Sequence, residues 1–105
     1  MAVTSDGSVY TWGDNDSFQL GIGDLGGRFL PGLVPDLEVM DMVSAGRWQS
    51  LALAADGTGW AWGLNGEGQL GDGTTVEKSI PAQMLTPSGT IVLEAGGYHG
   101  LAVVS

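Results

Sequence analysis

Trp60-Ala61-Trp62-Gly63-Leu64-Asn65-Gly66-Glu67-Gly68-Gln69-Leu70-Gly71-Asp72-Gly73 decides the reading of this chain, because a near copy stands fifty residues before it. That copy is Tyr10-Thr11-Trp12-Gly13-Asp14-Asn15-Asp16-Ser17-Phe18-Gln19-Leu20-Gly21-Ile22-Gly23. The same shift pairs Asp6-Gly7 with Asp56-Gly57, Pro31 with Pro81, Ala45-Gly46 with Ala95-Gly96, and Leu51-Ala52 with Leu101-Ala102. No gap is needed over residues 1–55. A fixed period of this length marks a repeat array, whose units bury their apolar faces by stacking on one another. Residues 1–105 thus form one repeat domain, with a first repeat of about 1–50 and a second of about 51–105.

Within each repeat the local pattern is β. Ala2 to Thr4, the turn signal Asp6-Gly7 and the aromatic and β-branched run Ser8 to Trp12 predict a hairpin over residues 1–13. The second copy runs from Ser50 to Trp62; Leu51 and Leu53 share one face of a strand, and so do Trp60 and Trp62. Alanines fill the intervening positions, so both faces are expected to be buried, as in a sheet stacked between two others. Gly13 and Gly63, followed by Asn15 and Asn65, carry residue types that tolerate left-handed backbone and mark a loop. Residues 24–35 and 74–87 differ between the copies and read as irregular, with Pro31 and Pro81 fitting an edge strand or its start. Glu38 to Ala45 and Thr90 to Ala95 read as extended segments ending in Ala-Gly. Helical spacing is sustained nowhere, Val34 to Met42 being the one ambiguous stretch. The fold class is all-β, with short strands and frequent turns.

Composition narrows the chemistry. Twelve acidic against three basic residues give a net charge of −9, which repels a nucleic-acid backbone, and Arg28, Arg47 and Lys78 are isolated in sequence. A basic protein is the more compatible partner. The 105 residues contain no cysteine, which excludes disulfides, thiolate zinc sites and a cysteine nucleophile. The start lacks the basic end and apolar run of a signal peptide, and no apolar stretch approaches the roughly 20 residues of a membrane span. No membrane association is expected, and a chain complete at these ends would be expected in the cytoplasm.

The pattern from Ala45-Gly46 through Leu51-Ala52-Leu53, Asp56-Gly57, Trp62-Gly63 and Asn65 to Gln69-Leu70-Gly71-Asp72-Gly73 resembles the repeat of the regulator of chromosome condensation. The resemblance spans essentially the whole chain and implies a β-propeller, usually of seven blades, each a four-stranded antiparallel sheet. Here there are two repeats. Two blades close no ring, so the chain is expected to be part of a larger propeller or to complete a ring by oligomerisation.

The repeated positions Trp12, Gly13, Asn15, Gln19, Leu20 and Gly21, with Trp62, Gly63, Asn65, Gln69, Leu70 and Gly71, read as structural. Both tryptophans are expected in the core, and both glutamines are expected to satisfy loop backbone groups. His99 falls where the family usually has histidine, but Gln49 takes that place in the other copy, so the position calls for a hydrogen-bonding group and not a titrating one. One histidine without cysteine makes no ordinary structural zinc site, and no nucleophile motif accompanies it. Asp14-Asn15-Asp16 opens like a calcium loop, but Phe18 and Gln19 stand where a ligand and a glycine are required. Asn15-Asp16-Ser17 is a glycosylation sequon, which acts only in a secretory setting. No cofactor, no metal and no catalytic residue are expected.

Recognition is expected where the copies vary inside fixed framing. Arg47 and Trp48 follow Ala45-Gly46, and Gly97 and Tyr98 follow Ala95-Gly96. In related propellers these loops share one face of the ring and contact proteins, and Trp, Tyr and Arg are common interface anchors. Asp24, Arg28, Phe29, Glu77 and Lys78 on the variable loops are second candidates. The reading is a non-enzymatic protein-interaction scaffold, with a protein or a second copy as partner. The alternative, implied by the resemblance alone, is a regulator that promotes nucleotide exchange on a small GTPase of the Ran type.

Overall fold

The structure is a computed structural model that describes residues 1–104 apart from 24, 25, 36, 38, 87 and 88, with residues 91 and 104 by backbone only. Among the described residues nine strands form three antiparallel sheets, and none of these residues is helical. The first sheet holds β1 (Ala2–Val3), β2 (Val9–Gly13) and β3 (Arg28–Leu33). The second holds β4 (Met42–Ala45), β5 (Gln49–Leu53), β6 (Gly59–Gly63) and β7 (Lys78–Gln83), in that order. The third holds β8 (Thr90–Ala95) and β9 (Gly100–Val104). The middle sheet is therefore one complete four-stranded blade. The first sheet matches β5 to β7 of it and the third matches β4 and β5. Fifty residues counted from Met1 end inside β5, so a fifty-residue unit of sequence and the blade in space are out of phase.

The hairpins form where the aromatic and β-branched runs predict them. At the β5–β6 turn, Ala54 N–H donates to Thr58 O at 2.9 Å and Gly57 adopts φ +88°, which the missing Cβ allows. Residues opposite each other share a face, so the pairs Ala52–Trp60 and Ser50–Trp62 look toward the first sheet. The pairs Leu51–Ala61 and Leu53–Gly59 look toward the third. Two apolar layers result. Val9, Val34, Met40, Ala52, Ala54 and Trp62 fill the first joint, and Leu51, Leu53, Ala61, Leu70 and Leu93 fill the second. Both faces of the β5–β6 hairpin are covered, as the alternation of large residues with alanine implies. A polar tie joins the inner strands: Ser44 Oγ on β4 accepts from Ala95 N–H on β8 at 3.0 Å and meets Glu94 Oε2 at 3.2 Å.

Three expectations need correction. Residues 28–33 and 78–83, expected to be irregular, are the strands β3 and β7, each at an edge of its sheet as Pro31 and Pro81 allow; residues 24 and 87, at the ends of those stretches, lie outside the described residues. Their missing pattern has a cause in the ladder. Between the pairs Ala61–Ala82 and Gly63–Lys78, Trp62 faces the three residues Ser79 to Pro81, a bulge in which proline's missing N–H costs no ladder bond. β4 begins at Met42, later than the extended reading from Glu38, which lies outside the described residues. Trp12 is not in the core: it is 41% exposed, whereas Trp62 is 0% exposed. Both occupy the same strand position, but Trp62 looks into the first joint and Trp12 looks away from the second sheet, which packs on the other face of β2.

Candidate protein-binding face

The loops after β2 and β6 are held by side chains, and this fixes the edges of the blades. Asn65 Oδ1 accepts from Leu70 N–H at 3.0 Å, while Nδ2 donates to Val76 O at 2.9 Å and Thr74 O at 3.0 Å. Asn15 repeats this with Leu20 N–H at 2.9 Å and Gly26 O at 3.1 Å. Neither asparagine uses the left-handed backbone suggested by its type; Gly13 and Gly63, at φ +104° and +105°, and Phe18, at +61°, do. Gln19 and Gln69 turn their Oε1 to the N–H of Ser17 and Glu67, at 2.8 and 2.9 Å. Gln19's own carbonyl then receives Ser50 Oγ at 2.7 Å and Trp62 Nε1 at 2.8 Å, which locks the first loop onto the next blade. Gly21 is there by necessity, since a Cβ would stand 2.7 Å from Trp62 Nε1.

In the second loop Asp72 meets Lys78 Nζ at 3.0 Å with only 7% of its side chain exposed. Burial alone would raise its pKa, but hydrogen bonds from Thr74, Lys78 and Asn65 outweigh that and hold it at about 2. A depressed carboxyl gives stability that is complete above its unfolded value, about 4, and is lost as pH falls toward 2. Urea melts should therefore weaken by on the order of 1–2 kcal/mol over that interval through this residue. Asp72→Asn should remove that part of the slope; an identical pH profile in the variant refutes the assignment.

The loops leading into β5 and β9 lie side by side. Each is closed by one backbone bond at 2.8 Å, from Gly46 N–H to Gln49 O and from Gly96 N–H to His99 O. Gln49 staples them together. Its side chain is fully buried and Nε2 donates to Gly96 O at 2.8 Å and His99 O at 3.1 Å. The backbones touch so closely that a Cβ on Gly46 would stand 2.5 Å from Gly96 O. Arg47 and Trp48 on the first loop and Tyr98 on the second thereby stand on neighbouring loops. Arg47 is exposed and lies over the half-buried Trp48 ring at 5.0 Å, a cation–π stack. Trp48 is anchored from behind by Leu64 N–H, which donates to its carbonyl at 2.9 Å. Tyr98 is 55% exposed, and His99 beside it is exposed.

Of the second candidates, Phe29 is fully exposed and Arg28 half-buried, Glu77 is exposed, Lys78 is engaged by Asp72, and Asp24 lies outside the described residues. Gln49 was missed as the residue that organises the face; the signal was its replacement of histidine in one copy. Among the described residues there is no cluster of metal-ligating side chains. No helix among them is long and apolar enough to cross a membrane.

A sheet order of four antiparallel strands, stacked face to face with its neighbours at a fifty-residue period, defines a β-propeller repeat. The chain belongs to the regulator of chromosome condensation (RCC1) repeat family, whose profile matches residues 6–53 and 56–103. The RCC1 domain-containing protein RUG3, mitochondrial, of Arabidopsis thaliana is 40% identical over 55 residues, half of this chain and 12% of that protein. Protein pim1 of Schizosaccharomyces pombe is 43% identical over 56 residues, again half of this chain and 10% of the relative. This chain thus matches about a tenth of the length of these relatives. The fold overlays on human WBSCR16 with a TM-score of 0.85 at 22% identity, covering 98% of this chain and 28% of that one. It overlays on Prp20p of Saccharomyces cerevisiae, a structure described with binding to Gsp1p and histones, with a TM-score of 0.81 at 23% identity, covering 95% and 27%.

Proposed function

We propose that the chain is a non-enzymatic protein-interaction scaffold whose binding face carries Arg47, Trp48 and Tyr98. The observation that carries this is the pair of adjacent loops, stapled by Gln49, that hold an Arg–Trp stack and an exposed tyrosine on a rigid sheet edge. Rigid aromatic anchors lose little conformational entropy on binding, so such a face favours a protein partner. The net charge of −9 favours a basic one. Binding of Prp20p to histones, also basic proteins, is consistent with that chemistry.

Purified core histones are the probe. Wild-type chain should bind them in a titration at moderate salt, and the double variant Trp48→Ser, Tyr98→Ser should bind at least about tenfold more weakly with an unchanged melt. Equal affinity in both chains would move the binding face elsewhere. The second reading, exchange on a small GTPase, has the Gsp1p binding of Prp20p behind it, but the aligned part is 27% of that protein. Nucleotide release from a Ran-type GTPase is expected to be no faster with this chain at micromolar concentration. Acceleration would reverse the order of the two readings.

A further inference from the structure

The two joints between sheets are built on one plan and differ in one member. In the first, Trp62 comes from β6, lies against Gly21, donates to the Gln19 carbonyl at 2.8 Å and packs with Val34, Val43 and Ala52. In the second, the residues fifty positions on, Gln69, Gly71, Met84, Leu93 and Ala102, line an open groove of about 200 Å³. This groove lies along the edge of β9 that corresponds to the edge of β5 taken by β6. Its lining is thus the counterpart of the lining that receives Trp62 in the first joint.

A second groove, of about 210 Å³, lies beside Thr11 and Trp12, the part of β2 beyond its pairing with β1, and includes Leu20 and Ala45. Its counterpart in the middle blade, formed by Ala61, Leu70 and Ala95, is filled by Leu51, which is 0% exposed. The side chains that match both grooves are on the chain and face solvent. Trp12, the equivalent of Trp62, is 41% exposed, and Leu101, the equivalent of Leu51, is 62% exposed. Trp12 is on the first sheet and its matching groove lies between the second and third, so within these 105 residues the two do not meet.

We propose that copies of this chain join head to tail, β9 of one pairing with β2 of the next. Trp12 of the second copy then fills the groove at Gln69 and Gly71, and Leu101 of the first fills the groove at Thr11 and Leu20. The register follows the middle blade, where Ser50, Leu51, Ala52 and Leu53 face Trp62, Ala61, Trp60 and Gly59. It sets Gly100 opposite Trp12, Leu101 opposite Thr11, Ala102 opposite Tyr10 and Val103 opposite Val9. β8 and β9 with the next copy's β2 and β3 complete a four-stranded sheet. β1, paired only through Ala2 and Val3, yields its place to Ala102 and Val103, its equivalents fifty residues on twice over. That exchange is like for like, so the gain comes from the newly buried Trp12 and Leu101 and from a longer ladder. A joint between two different surfaces of one chain either closes a ring or runs on as a filament.

The joint rests on the scaffold reading, with a second copy as the partner, but it avoids Trp48 and Tyr98. The test is the solution mass of the 105-residue chain by light scattering over a concentration series. A multiple of 10.8 kDa is expected. Trp12→Ser and Leu101→Asp, at positions exposed in the single chain, should each weaken association at least about a hundredfold and keep the wild-type circular dichroism. Mixed together, the two variants should recover a species of two chains, because the first retains β9 and the second retains Trp12. Val103→Asp replaces Leu101→Asp if that chain fails to fold. A monomer throughout the series, an assembly that neither variant disturbs, or a mixture that stays monomeric overturns the joint. The Trp48→Ser, Tyr98→Ser chain should assemble normally; if it assembles without binding histone, or binds without assembling, the two proposals stand or fall separately.

Discussion

Trp62→Ala is expected to remove about 3–5 kcal/mol of stability, the largest loss from any single side chain here. The indole is fully buried, fills the first joint with Val9, Val34 and Ala52, and gives its N–H to the Gln19 carbonyl at 2.8 Å. Truncation therefore opens a cavity and removes one of the two hydrogen bonds to that carbonyl, Ser50 Oγ keeping the other. In a domain of this size each kcal/mol is worth roughly 4–8 °C, so thermal unfolding should fall by tens of degrees or vanish. Trp62→Phe separates the two contributions: most of the ring remains and the hydrogen bond does not, so a smaller loss is expected. The same change at Trp12, exposed in the single chain, should leave its intrinsic stability nearly unaltered. Equal losses at the two sites would mean that the first sheet is covered on its other face too.

Asn65→Ala should cost about 2–4 kcal/mol, since a fully buried amide is then lost from a site where it bonds the Leu70 N–H and the carbonyls of Thr74 and Val76, the last of which keeps only Lys78 Nζ. The consequence is local disorder of the loop that carries Leu70 and Gly71, which lines one wall of the second joint. Asn65→Asp keeps the shape and the acceptor but replaces a donor by a charge next to Asp72, 3.3 Å from Nδ2. It should be at least as damaging as Ala. A melting temperature within a few degrees of wild type in both variants would show that solvent replaces these bonds and that the loop is not organised from its asparagine.

The period was legible because it is carried by loops and turns, whose chemistry is demanding. Asp-Gly before a strand, Trp-Gly after it and an asparagine two residues on leave little freedom of interpretation. The hairpins follow from alternation at Leu51, Leu53, Trp60 and Trp62. β3 and β7 were not legible, since Arg28-Phe29-Leu30-Pro31-Gly32-Leu33 and Lys78-Ser79-Ile80-Pro81-Ala82-Gln83 carry proline and no alternation. Their order comes from the bulge opposite Trp12 and Trp62, a property of the partner strand. The two tryptophans look alike in sequence because strand position fixes only which face a side chain takes. Whether anything covers that face is decided by the neighbouring sheet. For the proposed binding face, the residue types at 47, 48 and 98 were readable, whereas the adjacency of their loops depends on Gln49 reaching across to Gly96 and His99, a contact between loops fifty residues apart.

The offset between repeat and blade bears on how the chain comes apart. In arrays whose covalent repeat coincides with the stacked unit, terminal units can peel away one at a time, and stability is close to a sum over units. Here the first matched repeat, residues 6–53, runs on through β4 and β5 before the second, residues 56–103, begins ahead of β6, so each covalent repeat has a stake in two sheets. Detaching the first repeat tears β4 and β5 from the middle blade, and detaching the second strips that blade of β6 and β7. Neither can leave intact. Amide exchange should accordingly report one shared opening event across β4, β5 and β6, with only the outer strands β3 and β9 exchanging by fraying.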